Sequence, residues 1–121
     1  MSENKTIYSN AQTNLTIDDV IQSNSALPLS DENFETPTPE QIKFLRLYLG
    51  LSQAKLGRFL GKTVSKKGCS AVRKWETRMG SPEHRAIDSN AWRRMLEAAG
   101  LCDIQEDLAL VKCSQTGVEL E

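Results

Sequence analysis

Ser70, Arg73, Lys74 and Thr77 fall on one face when residues 69–79 are wound as a helix at about 100° per residue. That face carries two cations, two hydroxyls and no carboxylate. Val72, Trp75 and Met79 gather on the other side, with Ala71 beside them, as a stripe that belongs in a core. Arg and Lys donate to N7 and O6 of guanine, and Ser and Thr pair with several base edges. A solvated face has the same composition, so the neighbourhood decides. Residues 52–80 hold eight basic groups and one acid, Glu76, which sits near the buried side. Such a concentration of cations is the electrostatic footprint of phosphate binding.

The whole chain hides this patch. Its 121 residues carry 15 basic and 16 acidic groups, a net charge of −1. Residues 1–36 are at −5, residues 37–100 at +8 and residues 101–121 at −4. A basic middle therefore lies between two acidic ends, which are expected to compete with DNA for it.

Composition and motifs exclude several classes of function. No apolar run approaches the roughly 18 residues of a membrane span, and no basic-then-hydrophobic leader opens the chain. The expected compartment is the cytoplasm. Cys69, Cys102 and Cys113 are an odd, unpaired set, which argues against a disulfide framework. With His84 they number four potential zinc ligands, but no close Cys or His pair occurs, so no metal and no cofactor is expected. A single histidine leaves little for acid–base catalysis. Neither a Gly-x-Ser-x-Gly elbow nor a glycine-rich phosphate loop is present, and an enzyme is the least favoured class.

The elements that must position the cationic face read as helices. Residues 1–36, polar and acidic, read as a largely flexible arm. Within it Ile17, Val20 and Ile21 sit at helical spacing behind Thr16, either as a short docked helix or as a transient one. Thr38-Pro39-Glu40-Gln41 combines an N-cap, a proline at the first helical position and a capping-box Gln. Ile42, Leu45 and Leu49 form that helix's apolar face, and Gly50 stops it. Ser52 caps a second helix through Ala54, Leu56, Phe59 and Leu60, closed by Gly61. Lys62 to Gly68 reads as a basic turn. The third helix runs from about Cys69 to Met79, broken by Gly80-Ser81-Pro82. A fourth starts near Ser89 and carries Trp92, Met95, Leu96 and Ala99. A capping box at Asp103 and Glu106 opens a last helix through Ile104, Leu108 and Val111, which either forms a dimer interface or caps the core. The expectation is an all-α bundle of four or five helices over residues 37–112, with a tail over 113–121. No internal repeat is visible.

At this point the sequence resembles the helix-turn-helix domain of the Cro, phage-repressor and Xre family. The carrying residues are Ile42-x-x-Leu45-Arg46-x-x-x-Gly50-Leu51-Ser52-Gln53-x-x-Leu56-Gly57-x-x-Leu60-Gly61, followed by Val72-Arg73-Lys74-Trp75-Glu76. They span about half the chain. The resemblance implies a lambda-repressor-like bundle whose third helix reads the major groove while the second crosses the backbone. It assigns base contacts to Cys69, Ser70, Arg73 and Lys74, and a phosphate contact to Gln53. It pairs Arg46 with Glu76 as a structural contact, with Trp75 as the core anchor. The sequence departs from the family between the second and third helices, where Gly61 to Gly68 is about five residues longer than usual. Lys62, Lys66 and Lys67 in this insertion, with Arg78 near the end of the third helix, are expected on phosphates. A tolerated surface insertion is the plainer reading, and a helix start at Ser65 is disfavoured by Gly68. Cys69, at a helix start among cations, is either a redox-sensitive thiol or a small residue that fits, and the second is favoured. Arg85, Arg93 and Arg94 are flanking phosphate contacts or plain surface.

The leading expectation is a sequence-specific DNA-binding transcriptional regulator, a repressor occupying an operator. As a homodimer it would take a near-palindrome with half-sites about 34–36 Å apart. A second reading is an antitoxin-like autoregulator that binds a protein through its acidic N-terminal arm. A third is a helical protein-interaction module without DNA binding.

Overall fold

The structure is a computed structural model and describes residues 15–114. The first fourteen residues of the arm and the tail beyond Ser114 lie outside the described residues. Six α-helices are present among those described: α1 Ile17–Ile21, α2 Pro39–Tyr48, α3 Gln53–Phe59, α4 Ser70–Glu76, α5 Ser89–Ala98 and α6 Ile104–Ser114. A 3-10 turn at Asn24–Ala26 follows α1. The described residues are helical and contain no named strand, only one bridge between Ser65 and Gly68. No helix among them is long and apolar enough to cross a membrane.

Short-range chemistry sets the helix ends. Thr38 accepts from Gln41 N–H, while the Gln41 side chain accepts from Thr38 N–H at 2.9 Å. Ser52 accepts from Lys55 N–H at the head of α3, and Asp88 from Ala91 N–H at the head of α5. α2 closes on Gly50 at φ +79, with Gly50 N–H bonded to Leu47 O and Leu51 N–H to Arg46 O. This paired closure needs a left-handed residue, which glycine supplies without steric cost.

Burial then joins the helices. Ile42 and Leu45 of α2, Leu56 of α3, Val72 and Trp75 of α4, and Trp92, Met95 and Leu96 of α5 share one core with Val20. Gly57 permits the closest approach, because a Cβ there would sit 2.6 Å from Cys69 Sγ.

The packed fold begins earlier in the chain than composition implies. From Leu15 onward residues of this segment pack against the bundle, Leu15, Ile17 and Phe34 among them, and α1 is docked. Val20 is fully buried, and Thr16 caps α1 through a reciprocal box with Asp19. Trp92 Nε1 donates to Ser25 O at 2.7 Å, and Arg93 NH1 donates to Ala26 O and Leu27 O. The anchoring partners lie 66 or 67 residues along the chain, where local composition does not register them.

A repeat emerges in three dimensions that the sequence does not display. Residues 27–50 and 77–100 have the same run of turns, extended residues and helix, fifty positions apart. Asp31 N–H bonds to Pro28 O as Ser81 N–H does to Arg78 O. Phe34 N–H bonds to Asp31 O as His84 N–H does to Ser81 O. Glu35 N–H reaches back to Asn24 O as Arg85 N–H does to Lys74 O. Gly100 at φ +79 repeats the closure of Gly50. Each unit passes its loop into a capped helix, and these two helices, α2 and α5, pack on each other; α2 also lies on α4, and α5 bonds to the 3-10 turn.

Candidate nucleic-acid interface

α4 forms because its two inward residues, Val72 and Trp75, are covered at 0% and 5% exposure while its outward positions remain polar. Ser70 and Arg73 are exposed and Lys74 is half-buried. The helix is shorter than the expected Cys69–Met79. Thr77 leaves helical geometry at ψ 138, its hydroxyl donates to Arg73 O, and Arg85 N–H joins Thr77 N–H on the Lys74 carbonyl. Met79 is therefore 63% exposed and takes no part in the core stripe. Thr77 turns its hydroxyl onto its own helix rather than outward.

Cys69 corrects the base-contact set. It is the N-cap of α4 and is 2% exposed, closed in by Gly57. A side chain so covered reaches neither a base nor an external oxidant, and it fills the small space that Gly57 leaves.

The insertion is a tight turn rather than an early start of α4. Ser65 and Gly68 exchange both backbone bonds, at 2.9 and 3.0 Å, with Gly68 at φ +105. Ser65 Oγ accepts from Lys67 N–H inside the turn. Lys66 and Lys67 therefore stand exposed at its tip, beside the start of α4. Lys62 departs from the expected phosphate role. Its ammonium lies 3.3 Å from Asp88 Oδ1 and 5.7 Å from the Trp75 ring centroid, so it ties the insertion to the head of α5.

Beneath α4 lies a bonded triad. Arg46 Nε and NH2 donate to the two oxygens of Glu76, and Arg46 NH1 donates to Leu51 O. Gln53 Nε2 donates to Glu76 Oε1 at 3.0 Å, which fixes the Gln53 amide at the head of α3. Gln53 lines a cleft of about 230 Å³ whose other walls include Ser65, Lys67, Ser70 and Arg73. The cleft thus joins α3, the insertion and α4 in one polar concavity.

Of the flanking arginines, Arg78 is exposed. Arg85 folds onto Pro82 O and His84 O, and Arg94 lies 4.6 Å over the Phe59 ring. Arg93 is neither phosphate contact nor plain surface: it is 6% exposed and bonded twice to Asp107. Those bonds raise its pKa against the opposing cost of burial. Burial also pushes the nearby Cys102 thiol up.

One participant is absent from the sequence reading. Glu83 Oε1 lies 3.2 Å from Arg73 NH1, on the outward side of α4. The available signal was its standing as the only acid between Thr77 and Ile87. No protein-family model, curated protein or solved structure matches the chain.

Proposed function

We propose that the protein binds double-stranded DNA in a sequence-specific way and acts as a transcriptional repressor by occupying an operator. The observation that carries this reading is the juxtaposition of Ser70, Arg73 and Lys74 on α4 with the exposed tip lysines Lys66 and Lys67. Helix α4 is narrow and anchored by Trp75, a shape that enters a major groove with its outward side chains toward base edges. Gln53, Lys66, Lys67 and Arg78 border it as phosphate contacts, which position the helix without reading sequence. In this reading α3 and α4 form a helix-turn-helix with an enlarged turn. The protein works in the cytoplasm without cofactor or catalysis. A homodimer fits a near-palindromic site, because protein two-fold symmetry is mirrored in the DNA.

The test is selection of bound sites from random duplex DNA at a stated salt concentration. An enriched motif with affinity falling steeply as salt rises supports the reading. No enrichment and no salt-dependent binding would sink it.

A second reading, contact with a protein partner, has its own observation. Ile104, Leu108 and Leu110 of α6 are 52%, 50% and 49% exposed. Beside them a groove of about 470 Å³ is walled by Pro28, Leu29, Ile104 and Val111. Residues 15–26 are built into the fold, which leaves α6 as the better surface for such a partner than the arm.

A further inference from the structure

We propose that Glu83 sets the base selectivity of α4 by holding Arg73 through one edge of its guanidinium and leaving the other edge for guanine. The proposal rests on the DNA-binding reading above and names the residue that makes the α4 face selective rather than merely cationic.

Arg73 NH1 donates to Glu83 Oε1 at 3.2 Å, with the two side chains 52% and 61% exposed. An exposed pair of this kind adds little to folding stability. Its consequence is positional. Arg73 leaves the middle of α4, and Glu83 comes from the loop that follows it. That loop is pinned at four places. Glu83 N–H donates to Ser81 Oγ, and His84 N–H to Ser81 O. Arg85 N–H donates to Lys74 O, and His84 Nδ1 is hydrogen-bonded to Thr77 O at 2.8 Å. The carboxylate is thus carried on a braced loop folded back along the end of α4.

A guanidinium has five N–H donors in a planar fork. With NH1 committed to Glu83, the edge made by Nε and NH2 remains, and this edge matches the N7 and O6 pair of guanine. Holding the fork in advance lowers the ordering cost of that contact. The negative charge has a second effect. The loop after α4 carries two acids, and the second, Asp88, caps α5 and pairs with Lys62, which leaves Glu83 among Arg73, Lys74, Arg78 and Arg85. On a sequence without guanine at the right step, its carboxylate approaches phosphates with no gain at Arg73. Non-cognate DNA is therefore penalised more than the cognate site.

The experiment compares wild type with Glu83→Gln, Arg73→Lys and the double variant in site selection and in titrations against the selected duplex. Each titration is repeated on a duplex with its guanines at the α4 contact changed to adenine. Glu83→Gln should keep the wild-type unfolding midpoint. It should bind the altered duplex more tightly and lower the ratio of affinities about tenfold. Arg73→Lys should lose the preference as well, and adding Glu83→Gln to it should change the ratio no further. An unchanged ratio in Glu83→Gln, or an equal loss of affinity on both duplexes, would overturn the proposal while leaving DNA binding intact. If wild type selects no motif at all, the DNA-binding reading falls and this inference with it.

Discussion

Arg46 grips Glu76 across thirty residues of chain, Nε to Oε2 at 2.6 Å and NH2 to Oε1 at 3.0 Å. The two side chains are 9% and 5% exposed. Removing one partner strands the other's charge away from water. Arg46→Met or Glu76→Leu should each cost about 3–5 kcal/mol in urea unfolding. The double variant should recover a large part of that loss, because both charges then leave together. Single variants within about 1 kcal/mol of wild type would show that the pair behaves as a surface bridge.

The same pair shows what was legible in the sequence. Thr38, Ser52 and Gly50 announce their helix ends because caps and closures are set by residues within one turn. The inward positions Val72, Trp75, Trp92 and Leu96 follow from helical spacing alone. What escaped the sequence depends on partners far along the chain. The order of residues 15–26 comes from Trp92 and Arg93, and the burial of Cys69 comes from the absent side chain of Gly57. The repeat is hidden because its units share only Gly50 with Gly100, followed by Leu51 and Leu101. Ile42 and Leu45 correspond to Trp92 and Met95, which keep burial and change shape.

Gly57→Ala should destabilise the fold by about 1–3 kcal/mol, as an overpacked core contact does. The new Cβ would lie 2.6 Å from Cys69 Sγ and 2.8 Å from Cys69 Cβ. Cys69→Ala in the same chain removes only the sulfur, so the rescue should be partial. Chemical denaturation of both variants gives the coupling. A neutral Gly57→Ala would mean that α3 and the head of α4 are less closely apposed than the structure shows.

Trp92→Phe tests whether the early segment is part of the fold. The substitution keeps an aromatic ring but removes the Nε1–H that bonds to Ser25 O at 2.7 Å. The carbonyl left behind is buried, at a cost of about 1–3 kcal/mol for the lost partner. Amide exchange should speed at Asn24, Ser25 and Ala26 more than in α4. Equal acceleration throughout would place the segment's order elsewhere.

The three thiols should separate by reactivity. Cys113 is exposed, Cys102 is half-buried with its pKa raised chiefly by burial, and Cys69 is buried. A raised pKa leaves less thiolate at a given pH, and the thiolate is the nucleophile. Alkylation followed by peptide mass analysis should therefore label Cys113 first, Cys102 later and with a rise shifted to higher pH, and Cys69 only on unfolding. Early labelling of Cys69 in folded protein would contradict its packing against Gly57.

Base reading and phosphate contact leave different signatures, and the proposed roles of α4 and the insertion can be separated by them. Arg73→Ala should cost about 1–3 kcal/mol at the selected site and relax preference at one position. Lys66→Ala and Lys67→Ala should weaken cognate and non-cognate duplexes alike, since a lysine on a phosphate carries no sequence information. Each should also flatten the salt dependence by about one unit of slope, the signature of one fewer ion released. Fluorescence anisotropy titrations on cognate and scrambled duplexes, over a range of salt, read all three quantities. A uniform loss from Arg73→Ala, with a salt slope changed as for the lysines, would move Arg73 from the base edges to the backbone. A lost base preference in Lys66→Ala would place the insertion in the groove instead.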